Sequence, residues 1–387
     1  MKSTDVTTAF QTITGHAPER LLRSPGRINI IGEHTDYNDG FVLPGAVDRA
    51  IYFALRLNGT NRSNFHALDI DKRATDLDLT DPRRSGELWL DYLLGIADQF
   101  RQRGIELPGI DLVFGGDLPA GAGMSSSAAL EGGMAFIWND LTGAGISWPE
   151  LARLCKESSN TFLGVPCGIM DQFASLNGHA GEVLLLDCRS LETERVTSEL
   201  GDYSWLLFNS RVTHELGASA YPVRVCECAE GAAAIRTLYK DVEKLRDAAP
   251  AQVEAARHLM TDEVYRRCRY VTGEQERTQA AVAALRTGDM PELGRLLTAT
   301  HRGLRDDYEV SCAEIDFLVD EALRQTGVLG ARIMGGGFGG CTLNLVRTTE
   351  SETVIAHLTK AYEQAFGIAG EAYNLNLVDG TDWLVLK

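Results

Sequence analysis

The sequence contains no long apolar run. A helix that crosses a bilayer needs about 20 consecutive, predominantly apolar residues, and no segment approaches that length. The first ten residues also lack the apolar stretch of a secretion signal. We therefore expect a cytoplasmic protein that has no membrane as a partner.

Positive charge is scarce. The 37 Lys and Arg residues are outnumbered by 54 Asp and Glu residues, which gives a formal net charge of −17 over 387 residues. Because nucleic acids and anionic membrane surfaces attract basic proteins, neither is expected as a partner of so acidic a chain. A nucleotide is not excluded, since a local nest of backbone N–H groups with Mg²⁺ can hold phosphates inside an acidic protein.

Paired cysteines are missing as well. Eight cysteines are scattered along the chain without a C-x-x-C pair, and no histidine stands at zinc-ligand spacing from the close pair Cys226 and Cys228. We expect reduced, mostly buried thiols. The 44% hydrophobic and 24% charged residues are typical of a globular protein, and 387 residues provide ample core for more than one domain.

The most informative stretch is LPAGAGMSSSAALE, residues 118–131. Gly121 and Gly123 permit backbone angles closed to other residues, and three serines then begin a helix-forming run. Such a loop leaves backbone N–H groups without carbonyl partners at the positive end of a helix, where phosphate binds. The serine hydroxyls can contact phosphate oxygens or ligate Mg²⁺, so the loop favours a phosphate site.

An ordinary helix cap is the alternative interpretation of this loop. Gly132 and Gly133 follow inside the predicted helix at about 0.5–1 kcal/mol each relative to alanine, which indicates close packing there. A Walker loop is excluded because no lysine follows a glycine at the required place. A hydrolase elbow is excluded because Ser127 stands where G-x-S-x-G needs glycine. The loop alone leaves a nucleotide site and a helix cap open.

A dense polar loop, GEHTDYNDG at residues 32–40, lies between two apolar runs. Carboxylates and an imidazole in one small loop suit the hydroxyls of a sugar, although a solvated turn is the alternative. The Asn38-Asp39-Gly40 end favours the turn. Arg27, five residues before this loop, is either a surface charge or a fork that binds a carboxylate and a phosphate.

The periodicity of apolar residues predicts an α+β protein. A helix with a Ser147–Glu150 capping box is expected to end near Gly164, and a boundary near residue 195 divides the chain into lobes 1–195 and 196–387. Helices are further predicted at 88–100, after 125 and through most of 223–325. Strands are predicted at 28–31 (after a break at Ser24-Pro25-Gly26), 51–57, 67–79, 182–186, 204–208, 331–334, 341–346 and 372–378.

Four motifs, in the same order, resemble those of galactokinases in the GHMP kinase family. Residues 24–40 are similar to the galactokinase N-terminal signature, and residues 118–131 resemble the family's ATP loop. The segment GIMDQF at 168–173 resembles the one that carries the catalytic aspartate, and MGGGFGGC at 334–341 is similar to the C-terminal glycine motif. The last also satisfies G-x-G-x-x-G, but a predicted strand follows it instead of a helix, which excludes a dinucleotide site.

The resemblance implies a two-lobed GHMP kinase fold of mixed sheets and helices, with the active site between the lobes. It implies transfer of the γ-phosphoryl group of ATP to the anomeric hydroxyl of α-D-galactose, with Mg²⁺ as cofactor. We expect galactose and ATP as the small-molecule partners and a monomeric protein. A related sugar 1-kinase acting on N-acetylgalactosamine or arabinose, and a non-catalytic sugar and ATP sensor, are the alternatives.

The same resemblance implies the roles of individual residues. Asp171 faces the attacking hydroxyl as proton acceptor and Arg27 lies beside it, although from sequence alone an aspartate in this position is more often a helix N-terminal cap. Sugar-binding roles are implied for Glu33, His34, Thr35, Asp36, Gly168 and Tyr221. ATP-binding roles are implied for Gly121, Ala122, Gly123, Met124, Ser125, Ser126 and Ser127, of which Ser127 is also the expected Mg²⁺ ligand. Residues 89–92 resemble an aromatic segment near the adenine pocket or serve the core.

Two positions depart from the family pattern. Galactokinases commonly place a glutamate that ligates magnesium twelve residues before the catalytic aspartate, and this chain has Ser159 there. Because Ser127, ATP phosphates and water then remain as ligands, we expect weaker metal binding. The family usually has asparagine after the sugar-binding tyrosine, whereas Pro222 follows Tyr221 here and predicts an extended backbone at Tyr221.

Overall fold

A computed structural model describes residues 1–119, 121–165, 167–213 and 216–386. The strands in these ranges are β1 Arg20–Asn29, β2 Phe41–Val42, β3 Pro44–Leu57, β4 Arg62–Ala67, β5 Lys72–Asp78, β6 Ile110–Gly116, β7 Glu182–Asp187, β8 Thr193–Thr197, β9 Tyr203–Thr213, β10 Val328–Met334, β11 Gly339–Arg347, β12 Glu371–Leu375 and β13 Asp382–Leu384. The α-helices are α1 Ser3–Thr14, α2 Leu88–Gln102, α3 Ser126–Thr142, α4 Trp148–Glu157, α5 Met170–Asn177, α6 Leu216–Leu238, α7 Pro250–Ala256, α8 Asp262–Thr287, α9 Met290–Arg302, α10 Ala313–Leu323 and α11 Ser351–Phe366.

The strands form three sheets. The largest has six strands in the order β13-β1-β3-β6-β4-β5, in which only β4 and β6 pair in parallel among the described strands. A four-stranded antiparallel sheet follows the order β10-β11-β9-β12, and β2, β7 and β8 form a small third sheet. The strand nearest the C-terminus, β13, is thus hydrogen-bonded to the first strand of the chain.

Helix α3 lies at the centre of the largest core and packs on β1 and β3 of the six-stranded sheet and on α5. Its Trp138 is completely buried. The close packing indicated by its two glycines is present at Gly133, where a Cβ atom would lie 2.5 Å from the ring of Phe53. At Gly132 a Cβ atom would make only an ordinary contact, 3.4 Å from Leu176.

Three local predictions were wrong. Strand β1 does not break at Pro25 and Gly26 but continues through them, because a register shift between Pro25 and Arg27 absorbs the missing N–H. The strand predicted at 67–79 is interrupted by a short 3₁₀ turn, after which Asp71 adopts a positive φ of 48°. Ser147 precedes α4 without capping it through its side chain.

The overall prediction of an α+β fold with mixed sheets and helices is confirmed. The helix that starts at Trp148 continues as a π-helical turn, Ser158–Leu163, and ends at Gly164 with a φ of 71°, as the sequence predicts. Among the described helices, none is both long and apolar enough to cross a membrane. The boundary near residue 195 stays a prediction.

Candidate active site

Arg27 and Asp171 meet although they are far apart in sequence. The buried Arg27 lies in β1, just after the register shift, and its Nε donates a hydrogen bond of 2.8 Å to Oδ1 of Asp171. Its Nη1 donates to the carbonyl of Gly123 in the serine-rich loop. Ser125 of the same loop donates to the second carboxylate oxygen of Asp171 at 2.5 Å. Both oxygens of the Asp171 carboxylate therefore accept hydrogen bonds, one from Arg27 and one from Ser125.

Asp171 occupies the first turn of α5, not its N-cap position, which is Ile169. The positive end of the helix dipole therefore adds to the charge of Arg27 in stabilising the carboxylate. The side chain remains 34% exposed, which leaves the carboxylate accessible from the adjoining cavity. The helix-cap alternative for Asp171 does not describe these contacts, since its partners come from β1 and from the loop before α3.

A cavity beside Asp171 brings together residues from four separate segments of the chain. Cationic, anionic and aromatic side chains share its wall with backbone from two glycine-containing segments. The lining residues are Arg27, Glu33, His34, Asp36, Cys167, Gly168, Met170, Asp171, Tyr221, Gly335 and Gly336.

Asp36 is the most perturbed carboxyl group in this cavity. Burial raises its pKa to about 6, and the negative charge of Asp171 contributes in the same direction. Gly168 makes this position possible, because a Cβ atom there would lie 1.4 Å from Oδ2 of Asp36. Any side chain at position 168 would therefore displace the Asp36 carboxylate.

Glu33 is held by a partner that the sequence did not reveal. Its Oε1 accepts hydrogen bonds from the guanidinium of Arg332 at 3.0 Å and from the backbone N–H of Gly335 at 2.9 Å. Arg332 is completely buried in β10, and it also donates to the carbonyl of Ile30 at 2.8 Å. The only signal in the sequence is one charged residue inside an otherwise apolar strand. These contacts join the polar loop to the C-terminal glycine motif.

His34 presents one ring nitrogen to the cavity. Its Nδ1 lies 3.0 Å from the hydroxyl of Tyr37, which in turn lies 2.6 Å from the hydroxyl of Tyr308. Its Nε2 is buried without a hydrogen-bond partner in the described residues. Burial lowers the pKa of His34 to about 4, and the charge of Arg224 acts in the same direction. The imidazole is therefore neutral near pH 7, with Nε2 available to a ligand hydroxyl.

The prediction of an extended backbone at Tyr221 was wrong. Tyr221 and Pro222 both lie within α6, near its N-terminal end. The ring of Tyr221 packs 5.7 Å from that of His34 and 5.3 Å from that of Tyr37, measured between centroids. Pro222 removes only one backbone N–H from the helix. The ring contacts of Tyr221 outweigh the local preference for an extended residue before proline.

Thr35 does not line the cavity. It is completely buried, and its hydroxyl donates within its own loop, to the carbonyls of Gly32 at 2.8 Å and Phe41 at 2.7 Å. These bonds hold the loop that carries Glu33 and Asp36. A direct contact between Thr35 and a sugar stays a prediction.

A second, wider cavity adjoins the N-terminal end of α3. Ser126 and Ser127 open onto it, whereas Ala122 and Met124 are completely buried beneath the loop. Ala120 lies outside the described residues. The remaining wall of the cavity is mostly apolar and aromatic, and it includes Ile51, Ile70, Leu88, Trp89, Tyr92, Phe114, Leu118, Leu130 and Tyr373. This lining, with serines at one part of the wall, suits an apolar ring attached to phosphates.

Known proteins match this chain over nearly its whole length. Residues 8–57 match the galactokinase galactose-binding signature, residues 91–179 the N-terminal domain of GHMP kinases and residues 281–364 their C-terminal domain. A galactokinase of Roseiflexus sp. is 40% identical over 372 residues, which are 96% of this chain and 94% of the relative. The human galactokinase is 40% identical over 366 residues, 92% of this chain and 90% of the relative. The chain belongs to the galactokinase family.

Solved structures agree with this family. The galactokinase of Lactococcus lactis, crystallised with galactose, superposes with a TM-score of 0.93 at 32% identity and covers 98% of this chain and 99% of its own. The mevalonate kinase of Methanococcus jannaschii reaches a TM-score of 0.66 at 16% identity over 93% of this chain and 98% of its own, which shows a shared fold alone. The predicted GHMP kinase fold is thereby confirmed.

The side chains near Ser127 determine whether this site can hold Mg²⁺. No cluster of three or more metal-ligating His, Cys, Asp or Glu side chains occurs in the described part of the chain. One helical turn after Ser127, however, the buried carboxylate of Glu131 accepts hydrogen bonds from Ser159 at 2.6 Å and Gln172 at 3.2 Å. Gln172 Oε1 is buried and has no partner among the described residues. These oxygen atoms fit Mg²⁺, which takes few protein ligands and keeps phosphates and water.

Burial raises the pKa of Glu131 to about 8, and the hydrogen bonds from Ser159 and Gln172 only partly oppose this. Glu131 is the second functional candidate that sequence reasoning missed, after Arg332. It lay inside a recognised motif, but only the fold shows that Ser159 and Gln172 converge on it.

Proposed function

We propose that this galactokinase transfers the γ-phosphoryl group of ATP to the anomeric hydroxyl of α-D-galactose, giving α-D-galactose 1-phosphate and ADP. One observation carries the proposal. Arg27 and Ser125 both contact Asp171 beside a polar cavity that suits a sugar, and the next two residues of the loop, Ser126 and Ser127, line an apolar cavity that suits a nucleotide. The family membership and the galactose complex of the Lactococcus lactis relative support the choice of sugar.

Asp171 is the proton acceptor in this proposal. Its carboxylate is held by Arg27 and Ser125 and stays accessible from the sugar cavity, so O1 of a bound sugar can reach it. The transition state of phosphoryl transfer is loose, so proton removal is late and orientation of O1 matters more. The guanidinium of Arg27 neutralises charge on the transferring group, which is where fixed charges lower such barriers most.

Sugar recognition is assigned to the remaining cavity residues. Glu33 and Asp36 accept hydrogen bonds from ring hydroxyls, and the neutral His34 offers Nε2. Tyr221 packs against His34, and Gly168 leaves room for the carboxylate of Asp36. A carboxylate is the suitable acceptor here because a sugar presents several donors at fixed angles.

The nucleotide is assigned to the loop from Gly121 to Ser127 and to the second cavity. Free backbone N–H groups at the start of α3 bind phosphate oxygens, and the helix dipole adds to this. The indole of Trp89, whose Nε1 has no described partner, lines the apolar part where an adenine ring would stack. Mg²⁺, with Ser127 as a ligand, would supply charge neutralisation on the phosphates when bound.

The test is coupled ADP release with galactose, glucose, N-acetylgalactosamine and arabinose, at several Mg²⁺ concentrations, for the wild type and Asp171→Asn. We expect turnover on galactose that falls at least about 100-fold in the variant, while galactose still binds in calorimetry. The variant is matched in size, so retained binding shows that the cavity is intact. Sugar and ATP binding without turnover in the wild type would instead support the sensor.

Three further properties remain proposals. We propose a monomer, to be tested by light scattering, and a cytoplasmic location. The division into lobes 1–195 and 196–387 is proposed on the shift in residue composition alone. Preferred turnover on N-acetylgalactosamine or arabinose in the same assay would move the chain to a related sugar 1-kinase.

A further inference from the structure

Glu131 is a completely buried carboxylate with no cation beside it in the described part of the chain. The partners of its two oxygens are neutral: the hydroxyl of Ser159 and the amide of Gln172. The charged group that acts on the pKa of Glu131 is another carboxylate, that of Asp171. An ionised carboxylate in such surroundings is costly unless a cation compensates it. The described partners of Glu131 thus supply no positive charge that would compensate it.

The position of Glu131 relates it to the nucleotide loop. It follows Ser127 by four residues in α3, which places both side chains on the same face of the helix. Tyr92 of α2 interacts with both of them, by a hydrogen bond with Ser127 and through the charge of Glu131. On its other side Glu131 interacts with Asp171. Glu131 therefore lies between the end of the serine loop and the catalytic carboxylate.

A second observation points to a ligand in this space. Gln172 donates to Glu131 through Nε2, which leaves its buried Oε1 without a donor among the described residues. A buried carbonyl oxygen without a partner is rare in a folded protein. Together with the carboxylate of Glu131 and the hydroxyl of Ser127, it makes an oxygen-rich group of the kind that binds a hard divalent cation.

Ser159 explains how the carboxylate is oriented. Its hydroxyl is buried and donates a short hydrogen bond of 2.6 Å to Oε1 of Glu131. Galactokinases commonly carry a magnesium-binding glutamate at this position. In this chain the position is Ser159, which instead supports Glu131 of the neighbouring helix α3. Such supports are typical of metal sites, where they fix the orientation of a ligating carboxylate.

We propose that Glu131 supplies the carboxylate of the Mg²⁺ site, beside Ser127 and the ATP phosphates, with Ser159 and Gln172 as the residues that position it. This inference rests on the proposed kinase function, since the phosphates complete the site. It makes α3 the source of both side-chain ligands. It also removes the expectation that Ser159 weakens metal binding, because a carboxylate is present in a different place.

The test measures metal affinity directly. Mn²⁺, a paramagnetic substitute for Mg²⁺, is titrated into the protein–ADP complex and followed by electron paramagnetic resonance. Glu131→Gln keeps the size of the side chain and removes its charge, so we expect the Kd for Mn²⁺ to rise at least about tenfold. Ser159→Ala should raise it about threefold, since one orienting hydrogen bond is lost.

Glu157→Gln is the matched control. The same chemical change is made near Ser159, but at an exposed side chain that pairs with Arg103 on the surface, so the Kd for Mn²⁺ should not change. An unchanged Kd in Glu131→Gln would overturn the inference. Should that variant fail to fold, as judged by circular dichroism, an unchanged Kd in Ser159→Ala would overturn it.

The outcomes separate this inference from the proposed function. Wild-type turnover on galactose combined with equal Mn²⁺ affinity in Glu131→Gln removes the metal assignment and leaves the kinase. Loss of Mn²⁺ affinity in Glu131→Gln, in a wild type that turns over none of the four sugars, leaves the metal site and removes the kinase.

Discussion

Arg27 contacts both halves of the site at once. One nitrogen of its guanidinium donates to Asp171 and another to the carbonyl of Gly123 in the phosphate loop. A planar fork with several N–H groups can satisfy these two acceptors in different directions, and the flexible ammonium group of lysine cannot span them in the same way. Arginine is therefore required at this position for its shape as well as for its charge.

We accordingly expect Arg27→Lys to lower kcat by about 100-fold with a much smaller change in the Kd for galactose. The physical reason is that one contact, to Asp171 or to the loop, is lost while the positive charge remains. Steady-state kinetics and calorimetry separate the two quantities. Arg20→Lys, at an exposed residue of the same strand that pairs with Asp140, should behave like the wild type. Equal kcat values for all three proteins would contradict this role.

Asp36 makes sugar binding depend on pH. Its pKa is raised to about 6, first by burial and then by Asp171, and only its ionised form is purely an acceptor for sugar hydroxyls. Galactose affinity should therefore be constant above pH 7 and fall by up to about tenfold per pH unit below 6. Calorimetric titration of galactose without nucleotide between pH 5 and 8 measures this. His34, with a pKa of about 4, stays neutral through the whole range.

The effect of Asp36 on the pH dependence of stability has the opposite sign to its effect on galactose binding. Since the pKa of Asp36 is higher in the folded protein than in the unfolded chain, the folded state binds more protons between about pH 4 and pH 6. The contribution of Asp36 to stability without ligand therefore declines as the pH rises through this window. Asp36→Asn should abolish both this decline and the pH dependence of galactose binding. Galactose affinity that is independent of pH in the wild type would show that Asp36 does not contact the sugar.

Helix α3 is the element that links the core to the site. Its N-terminal end carries the serines, its next turn carries Glu131, and its middle packs on β3 through Gly133. The precise seating of this helix on the sheet sets where the phosphate-binding N–H groups point. Changes in the middle of the helix should therefore be felt first in stability.

Gly133→Ala is expected to destabilise the protein by about 1–3 kcal/mol, because the new methyl group would lie 2.5 Å from the rigid ring of Phe53. Gly132→Ala is the matched control in the same helix. Its methyl group would have an ordinary 3.4 Å contact with Leu176, so the better helix propensity of alanine should leave stability unchanged or raise it by up to about 1 kcal/mol. Denaturant unfolding of both variants compares them. Equal effects would refute the packing argument.

Sequence alone points to a candidate site most directly where its residues are consecutive. The serine loop and the Glu33-His34-Thr35-Asp36 segment are short stretches whose local chemistry survives in any fold, so the sequence predicted them as units. Arg332 was missed because its partner Glu33 lies 299 positions away, and no local pattern predicts such a pair. Glu131 was recognised as part of a motif, but its partners lie 28 and 41 positions away.

The same distinction holds for secondary structure. The helices predicted from local sequence at 88–100 and after 125 are present as α2 and α3. The extended backbone predicted at Tyr221 and the break predicted at Pro25 follow equally reasonable local rules. They failed because ring packing around Tyr221 and the pairing of β1 with β3 outweigh the local preference of proline.

At the scale of the whole molecule, the two ends of the chain share one sheet. Strand β13 pairs with β1, and Thr381 just before it lies 2.9 Å from the hydroxyl of Ser24 and donates to the carbonyl of Ser175. The strand that carries Arg27 is therefore held by hydrogen bonds to residues more than 350 positions later in the chain. Integrity of the active site depends on the last segment of the chain.

Deletion of residues 381–387 should lower the free energy of unfolding by at least about 2 kcal/mol, because it exposes the edge of β1 and leaves buried hydroxyls without partners. Deletion of 385–387 is the control, since Val385 is 86% exposed and lies beyond β13. Thermal unfolding followed by circular dichroism compares the two truncations. A stable 381–387 deletion would show that β13 contributes little to the sheet.

The double contact of Arg27 has a further thermodynamic consequence. A nucleotide that orders the loop at Gly123 also orders the guanidinium, and through it the carboxylate that faces the sugar. Galactose and ATP should then bind cooperatively, and by thermodynamic reciprocity the factor by which either ligand strengthens the other must be the same. An order of addition observed in kinetics would therefore report on rates. The equilibrium coupling between the two ligands would act through the guanidinium of Arg27.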